Sequence, residues 1–170
     1  FRFYDRAEIK NALAYLRLIE NSEDDNALLR VINFPPRKIG SKTVESLQKI
    51  ARERDCSLFT AINFLEGKAV KSVSAFKELI ELIKKETCIS PLPEVISQTL
   101  KFSGLIEHYS DDRESVDRLE NLRELVNAGE AFLISEKIGE NIPANIGIAG
   151  NANNSRNCLL YTSDAADEVD

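Results

Sequence analysis

Apolar residues return every three or four positions from Ile9 to Leu133, and no stretch alternates apolar with polar long enough to read as a convincing strand. That period puts apolar side chains on one face of a helix turning every 3.6 residues, so the chain is constrained to an all-α fold of helices that each bury a stripe. Ile9, Ala12, Leu13, Leu16 and Ile19 form the first stripe. Asp5 can cap that helix, Glu8 can reach back to the cap amide, and Tyr4 with Ile9 can clamp its start as a hydrophobic staple. Ser22 with Asp25 three residues later opens a second helix carrying Leu28, Leu29, Val31 and Ile32, which Pro35-Pro36 ends. A third starts at Gly40-Ser41 and turns Val44, Leu47, Ile50 and Ala51 inward; Ser57 caps a short fourth through Phe64.

Beyond Gly67, Val70, Val73, Phe76, Leu79, Ile80 and Ile83 hold the period over several turns. Pro91 stands near the first turn of the next helix, which runs to Phe102 and stops at Gly104, and a short segment follows at Leu105 to Tyr109. The longest helix covers about Arg113 to Ser135 with Val116, Leu119, Leu122, Leu125, Val126, Phe132 and Leu133. The expected architecture is an irregular multi-helix domain with helix-loop-helix elements over residues 1–135. A flexible linker rich in Asn, Gly and Ala follows over 136–157, giving a disordered C-terminal tail. Residues 158–170 resemble the translated read-through of a sequencing-library adapter, and the absence of Met with Phe1 in front suggests a piece of a longer protein.

Charge argues little. The formal net charge is −6, but residues 158–170 carry four acidic residues and no basic one, and without them 24 acidic residues face 22 basic ones. No apolar run approaches the roughly 18 residues a membrane span needs, and no signal-peptide pattern opens the chain, so a cytosolic protein is expected. Cys56, Cys88 and Cys158 are odd in number and far apart, which indicates neither a disulfide framework nor a zinc site and leaves idle or buried thiols. His108, the one histidine, has no partner of nucleophile or metal type in its neighbourhood and reads as structural.

Gly40-Ser41-Lys42-Thr43 has the look of a phosphate-binding P-loop but fails its spacing. Ser41 interrupts the Gly-Lys pair, Pro35 occupies the place of the earlier Gly, and helix rather than strand leads in. No ATP site is present, and no cofactor or metal is expected in this chain. A better reading takes Arg37, Lys38, Ile39, Gly40, Ser41, Lys42 and Thr43 as a loop leading into a helix whose free amides attract phosphate. Gly40 allows close backbone approach there and any left-handed conformation the loop needs. From Arg37 to Arg54 six basic residues face two acidic ones, a local +4 that can hold a nucleic-acid backbone without reading its sequence. A capped helix start with solvated lysines is the plain alternative.

Three segments in order carry a resemblance to one family. Phe3-Tyr4-Asp5-Arg6-Ala7-Glu8-Ile9-Lys10 with Tyr15-Leu16-Arg17-Leu18 is the first; Asn33-Phe34-Pro35-Pro36-Arg37 leading to Ile39-Gly40 is the second; Arg118-Leu119-Glu120-Asn121-Leu122-Arg123-Glu124-Leu125 is the third. Together they resemble the accessory subdomain, called 2B, of UvrD/PcrA/Rep-type superfamily 1 DNA helicases. Lys38 stands where that family has the first Gly of a Gly-Ile-Gly element that contacts duplex DNA. Physics alone would read Glu120, Asn121 and Glu124 as a solvated helix face.

The resemblance implies a subdomain inserted into the second motor domain of a 3′ to 5′ helicase of repair and replication, touching the duplex DNA backbone and swinging to regulate unwinding. It implies ATP and Mg2+ in the motor domains of the parent, repair-protein partners, and a bacterial cytoplasmic, nucleoid-associated setting, with no membrane. Two alternatives stay open at this point: a standalone helical DNA-binding module with a helix-hairpin-helix-like loop, and a protein-binding helical scaffold.

Overall fold

A computed structural model describes residues 2–140, and among them the secondary structure is helical without a strand. The α-helices are α1 (Arg2–Asp5), α2 (Ala7–Glu20), α3 (Asp25–Val31), α4 (Ser41–Arg54), α5 (Leu58–Ala61), α6 (Val70–Thr87), α7 (Leu92–Phe102), α8 (Leu105–Ser110) and α9 (Val116–Glu140). Short 3-10 turns at Ile62–Phe64 and Arg113–Ser115 extend α5 and precede α9. The expected linker and adapter segments lie outside the described residues, apart from 136–140, through which α9 continues.

The second helix is the hub. α2 packs against α3, α6, α7 and α9, and a helix covered on several sides must be apolar on more than one stripe. Hence Ala14, Tyr15 and Leu18 are buried alongside Ile9, Ala12 and Ile19, whereas Leu13 and Leu16 of the expected stripe are only half-buried. Leu28, Val31, Ile32, Leu47, Val73, Phe76, Ile80, Ile83, Leu100, Leu105 and Leu122 complete a single core. α7 and α9 lie so close that a Cβ on Gly129 would stand 2.7 Å from the Ile96 side chain. The long helix is less regular than its sequence suggests, since Val116 and Phe132 are exposed while Leu122 and Leu125 are buried.

Helix starts follow local chemistry in some places and tertiary contacts in others. Ser57 caps α5 by accepting from the Thr60 amide at 3.1 Å, as its position predicts. For α3 the cap is Asp24, whose Oδ1 accepts from the Ala27 amide at 3.0 Å, rather than Ser22. The expected Asp5–Glu8 capping box does not form. Arg6 is extended and splits the segment into α1 and α2, and Tyr4 is 53% exposed, so no staple closes on Ile9. The Glu8 carboxylate instead turns inward and accepts a hydrogen bond from Asn121 Nδ2 of α9 at 2.8 Å. Cys56 is a half-buried free thiol.

Candidate nucleic-acid interface

The turn between α3 and α4 is held from below. Asn33 Oδ1 accepts the backbone amides of Arg37 at 2.8 Å and Ile39 at 3.1 Å, so one side chain sets the curvature of the whole turn. The Phe34–Pro35 peptide within it is cis. Arg37 then reaches inward: its Nη1 donates to the carbonyls of Val31 at 3.0 Å and Pro35 at 3.2 Å. Its Nη2 donates to the Ser103 carbonyl at 3.0 Å and to the Tyr15 hydroxyl. The guanidinium also lies 5.7 Å from the Tyr15 ring centroid and 5.3 Å from that of Phe76. A fork of fixed N–H directions meets four acceptors on α2, α3, the turn itself and the end of α7, which lysine could not do.

Tyr15 closes this arrangement by donating its hydroxyl proton to the Phe34 carbonyl. Burial pushes that hydroxyl up to about 12, although the neighbouring Arg37 charge acts the other way. It therefore stays protonated and remains a donor. His108 is half-buried with its ring edge-on to Phe34 at 4.9 Å, a packing role.

The result is an alternation along the turn. Arg37 and Ile39 point inward, Ile39 with 1% of its surface exposed, while Lys38, Gly40, Ser41 and Lys42 are exposed and Thr43 is half-buried. Lys38 has φ 61°, the left-handed region where an L side chain is disfavoured. That is the position at which the resembling family has Gly, so the backbone shape accounts for the preference. Gly40, by contrast, has φ −84°, and the left-handed role expected for it belongs to Lys38. A Cβ on Gly40 would meet nothing within 4 Å, so its bareness matters only to something arriving from outside.

The α4 terminus is open. Gly40 is the N-cap with no side-chain hydrogen bond, the first turn has no acidic residue, and the first amides of a helix lack intrahelical acceptors. Lys38 and Lys42 flank those amides. The other basic residues of the segment do not join them: Lys49 is 3.8 Å from Glu53, and Arg54 lies 3.7 Å over the Phe64 ring. Half of the local +4 is thus spread along a helix about 21 Å long at 1.5 Å per residue, and Lys38 and Lys42 stand at its open end.

The third resembling segment is not a uniformly solvated face. Glu120 and Glu124 are exposed, but Asn121 donates to buried Glu8, and Arg118 lies 5.8 Å from the Tyr109 ring centroid. Asn11 extends the same seam by donating to the Tyr109 hydroxyl at 3.3 Å and accepting from Arg30 Nε at 3.0 Å. Sequence reasoning missed Tyr15, Asn33 and Ser103 as the supports of the turn. Asn33 and Arg37 were visible as an Asn-x-Pro-x-Arg pattern, whose geometry now explains it.

Residues 1–146 match the family model described as the UvrD-like helicase C-terminal domain. DNA helicase II of Haemophilus influenzae is 42% identical over 140 residues, covering 78% of this chain and 19% of that protein. DNA helicase II of Escherichia coli is 37% identical over 150 residues, 84% of this chain and 21% of that protein. ATP-dependent DNA helicase PcrA of Staphylococcus epidermidis is 38% identical over 138 residues, 77% and 19% respectively. The chain spans about a fifth of the length of these relatives.

Proposed function

This chain belongs to the UvrD-like helicase C-terminal domain family, and from that premise we propose that residues 1–135 are the 2B accessory subdomain of a UvrD/PcrA/Rep-type DNA helicase, holding the duplex backbone at the turn before α4. The observation that carries this reading is the open end of α4. Lys38 and Lys42 flank uncapped amides while Arg37 and Ile39 hold the turn from beneath. Phosphate is the ligand such an end attracts, through amide hydrogen bonds, the helix dipole and two mobile charges. Contacts of that kind carry no base information, so binding is weak and indifferent to sequence.

Of the seven residues Arg37 to Thr43, the roles divide. Lys38 and Lys42 supply charge, Gly40 lets the strand approach the amides of Ser41, Lys42 and Thr43, and Arg37 with Ile39 positions them. ATP and Mg2+ belong to the motor domains of the whole helicase, which moves 3′ to 5′ in repair or replication in the bacterial cytoplasm. This chain steers duplex DNA and meets those motor domains and repair proteins; it hydrolyses nothing alone.

Gly40→Asp tests the reading. Aspartate caps helices at least as well as glycine, so thermal stability should hold or rise by a few tenths of a kcal/mol. Its carboxylate would take the amides that phosphate needs. Duplex affinity should therefore collapse across unrelated sequences, from a parent whose log K falls with log salt at a slope of about −2 to −3. A folded Gly40→Asp variant with parental affinity and slope would falsify the assignment.

A further inference from the structure

The outward side of the turn continues onto α6. An open groove of about 600 Å3 lies between the turn, which contributes Arg37 and Lys38, and α6, which contributes Lys71, Ser72, Ala75, Phe76 and Leu79. Positions 71, 72, 75, 76 and 79 share one face of α6, a track of about 12 Å at 1.5 Å per residue. Phe76 is 1% exposed, so its ring supports the lining but cannot stack on a base. No acidic side chain lines the groove, and none stands in the first turn of α6.

We propose that this groove seats the backbone of one strand of the duplex, with Lys71 as a second phosphate contact beyond Lys38; the inference rests on the duplex-holding role proposed above. Two lysines from different elements, in a groove no acid lines, suit a chain of repeating negative charge. The apolar lining beside them suits the carbon edge of deoxyribose, which alternates with phosphate along that chain. An acidic amphipathic peptide would satisfy the same charges, but its anchoring side chains take most of their energy from closed pockets, and this groove is open. With no stacking platform and no base-reaching side chain in the groove, the contact extends the footprint without adding sequence preference.

The test is a salt titration of the 170-residue chain on duplexes of unrelated sequence, comparing Lys71→Met, Lys42→Met and the double variant. Methionine keeps most of the side chain's apolar stem and removes the charge, and Lys71 is exposed, so the fold should be undisturbed. Each single variant should flatten the slope of log K against log salt by about 0.9, and the double variant by about twice that. If Lys42→Met flattens the slope and Lys71→Met does not, the groove is overturned as a DNA seat while the α4 contact stands. If neither does, the α4 contact falls and the groove with it. A glutamate-rich amphipathic peptide whose binding is lost in Lys71→Met, with duplex slope unchanged, would assign the groove to a protein partner and overturn the proposal.

Discussion

Asn33, bonded to the backbone amide of Arg37, and Asn121, bonded to the carboxylate of Glu8, each join an asparagine to a charged residue, yet they organise different kinds of structure. At the turn before α4, Asn33 bonds amides four and six residues ahead, and Arg37 mainly binds backbone carbonyls. The chemistry shapes backbone and so presents a surface. At the seam between α2 and α9, side chain meets side chain across 113 residues, and the chemistry joins segments distant in sequence. Loss of a turn residue should therefore change shape and binding together, whereas loss of a seam residue should change stability alone.

The largest effect is expected at Arg37. Arg37→Met strands the Pro35 and Ser103 carbonyls and takes one donor from the Val31 carbonyl and the Tyr15 hydroxyl, and with water reaching part of the site the cost should be about 3 kcal/mol in chemical unfolding. Duplex affinity of the molecules that remain folded should fall as well. Arg37→Lys should recover little, because the fork and not the charge fits the site. Parental affinity in folded Arg37→Met would break the division, since the turn would then keep its shape without its support.

Alkaline unfolding sharpens the comparison next. Tyr15 supports the turn and Tyr109 belongs to the seam; burial raises both hydroxyls, and Tyr15 reaches about 12 from 10.0. A raised folded value means the stabilisation is whole below the unfolded value near pH 10 and is lost as pH climbs through 12. For Tyr15 that loss is on the order of 2–3 kcal/mol. Urea unfolding at pH 9 and near pH 12 should show most of the drop vanish in Tyr15→Phe and persist in Tyr109→Phe. The reverse pattern would place the stronger burial at the seam.

Asn121→Ala comes third. It leaves the Glu8 carboxylate, 5% exposed, without its donor, and should cost about 2 kcal/mol with the salt slope of duplex binding unchanged. A changed slope would show that the seam reaches the turn before α4. The smallest effect has the opposite sign. Lys38→Gly relieves a left-handed side chain and should stabilise by about 1 kcal/mol while flattening the salt slope by about 0.9. A loss of stability would mean that Lys38 is not strained, and an unchanged slope that it is not in contact with phosphate.

The helices were legible in the sequence because their period is a local signal, and Ser57 and Gly40 marked their helix starts correctly. Asp5 and Glu8 misled because a capping box is a local option that a buried partner outcompetes; that partner, Asn121, is set by how α9 lies on α2. The same tertiary fact hid Asn121, which along its own helix sits among exposed charges. In the candidate site the residues Arg37 to Thr43 were readable as a group, but not their directions. Whether an arginine reaches outward or inward depends on acceptors such as the Ser103 carbonyl, 66 positions away. Lys71 was invisible for the same reason, since its neighbour across the groove is 33 positions earlier in the chain.

The phenol beneath the turn has an optical consequence. The chain contains no tryptophan and four tyrosines, so its ultraviolet emission is tyrosine emission. Tyr15 holds its hydroxyl between Arg37 and the Phe34 carbonyl, and tyrosine brightness depends on how that hydroxyl is bonded. A duplex that shifts the turn as it binds would change the signal from inside the protein. The chain thus carries an unlabelled fluorophore under its proposed DNA contact, able to separate occupancy that moves the turn from occupancy that leaves it still.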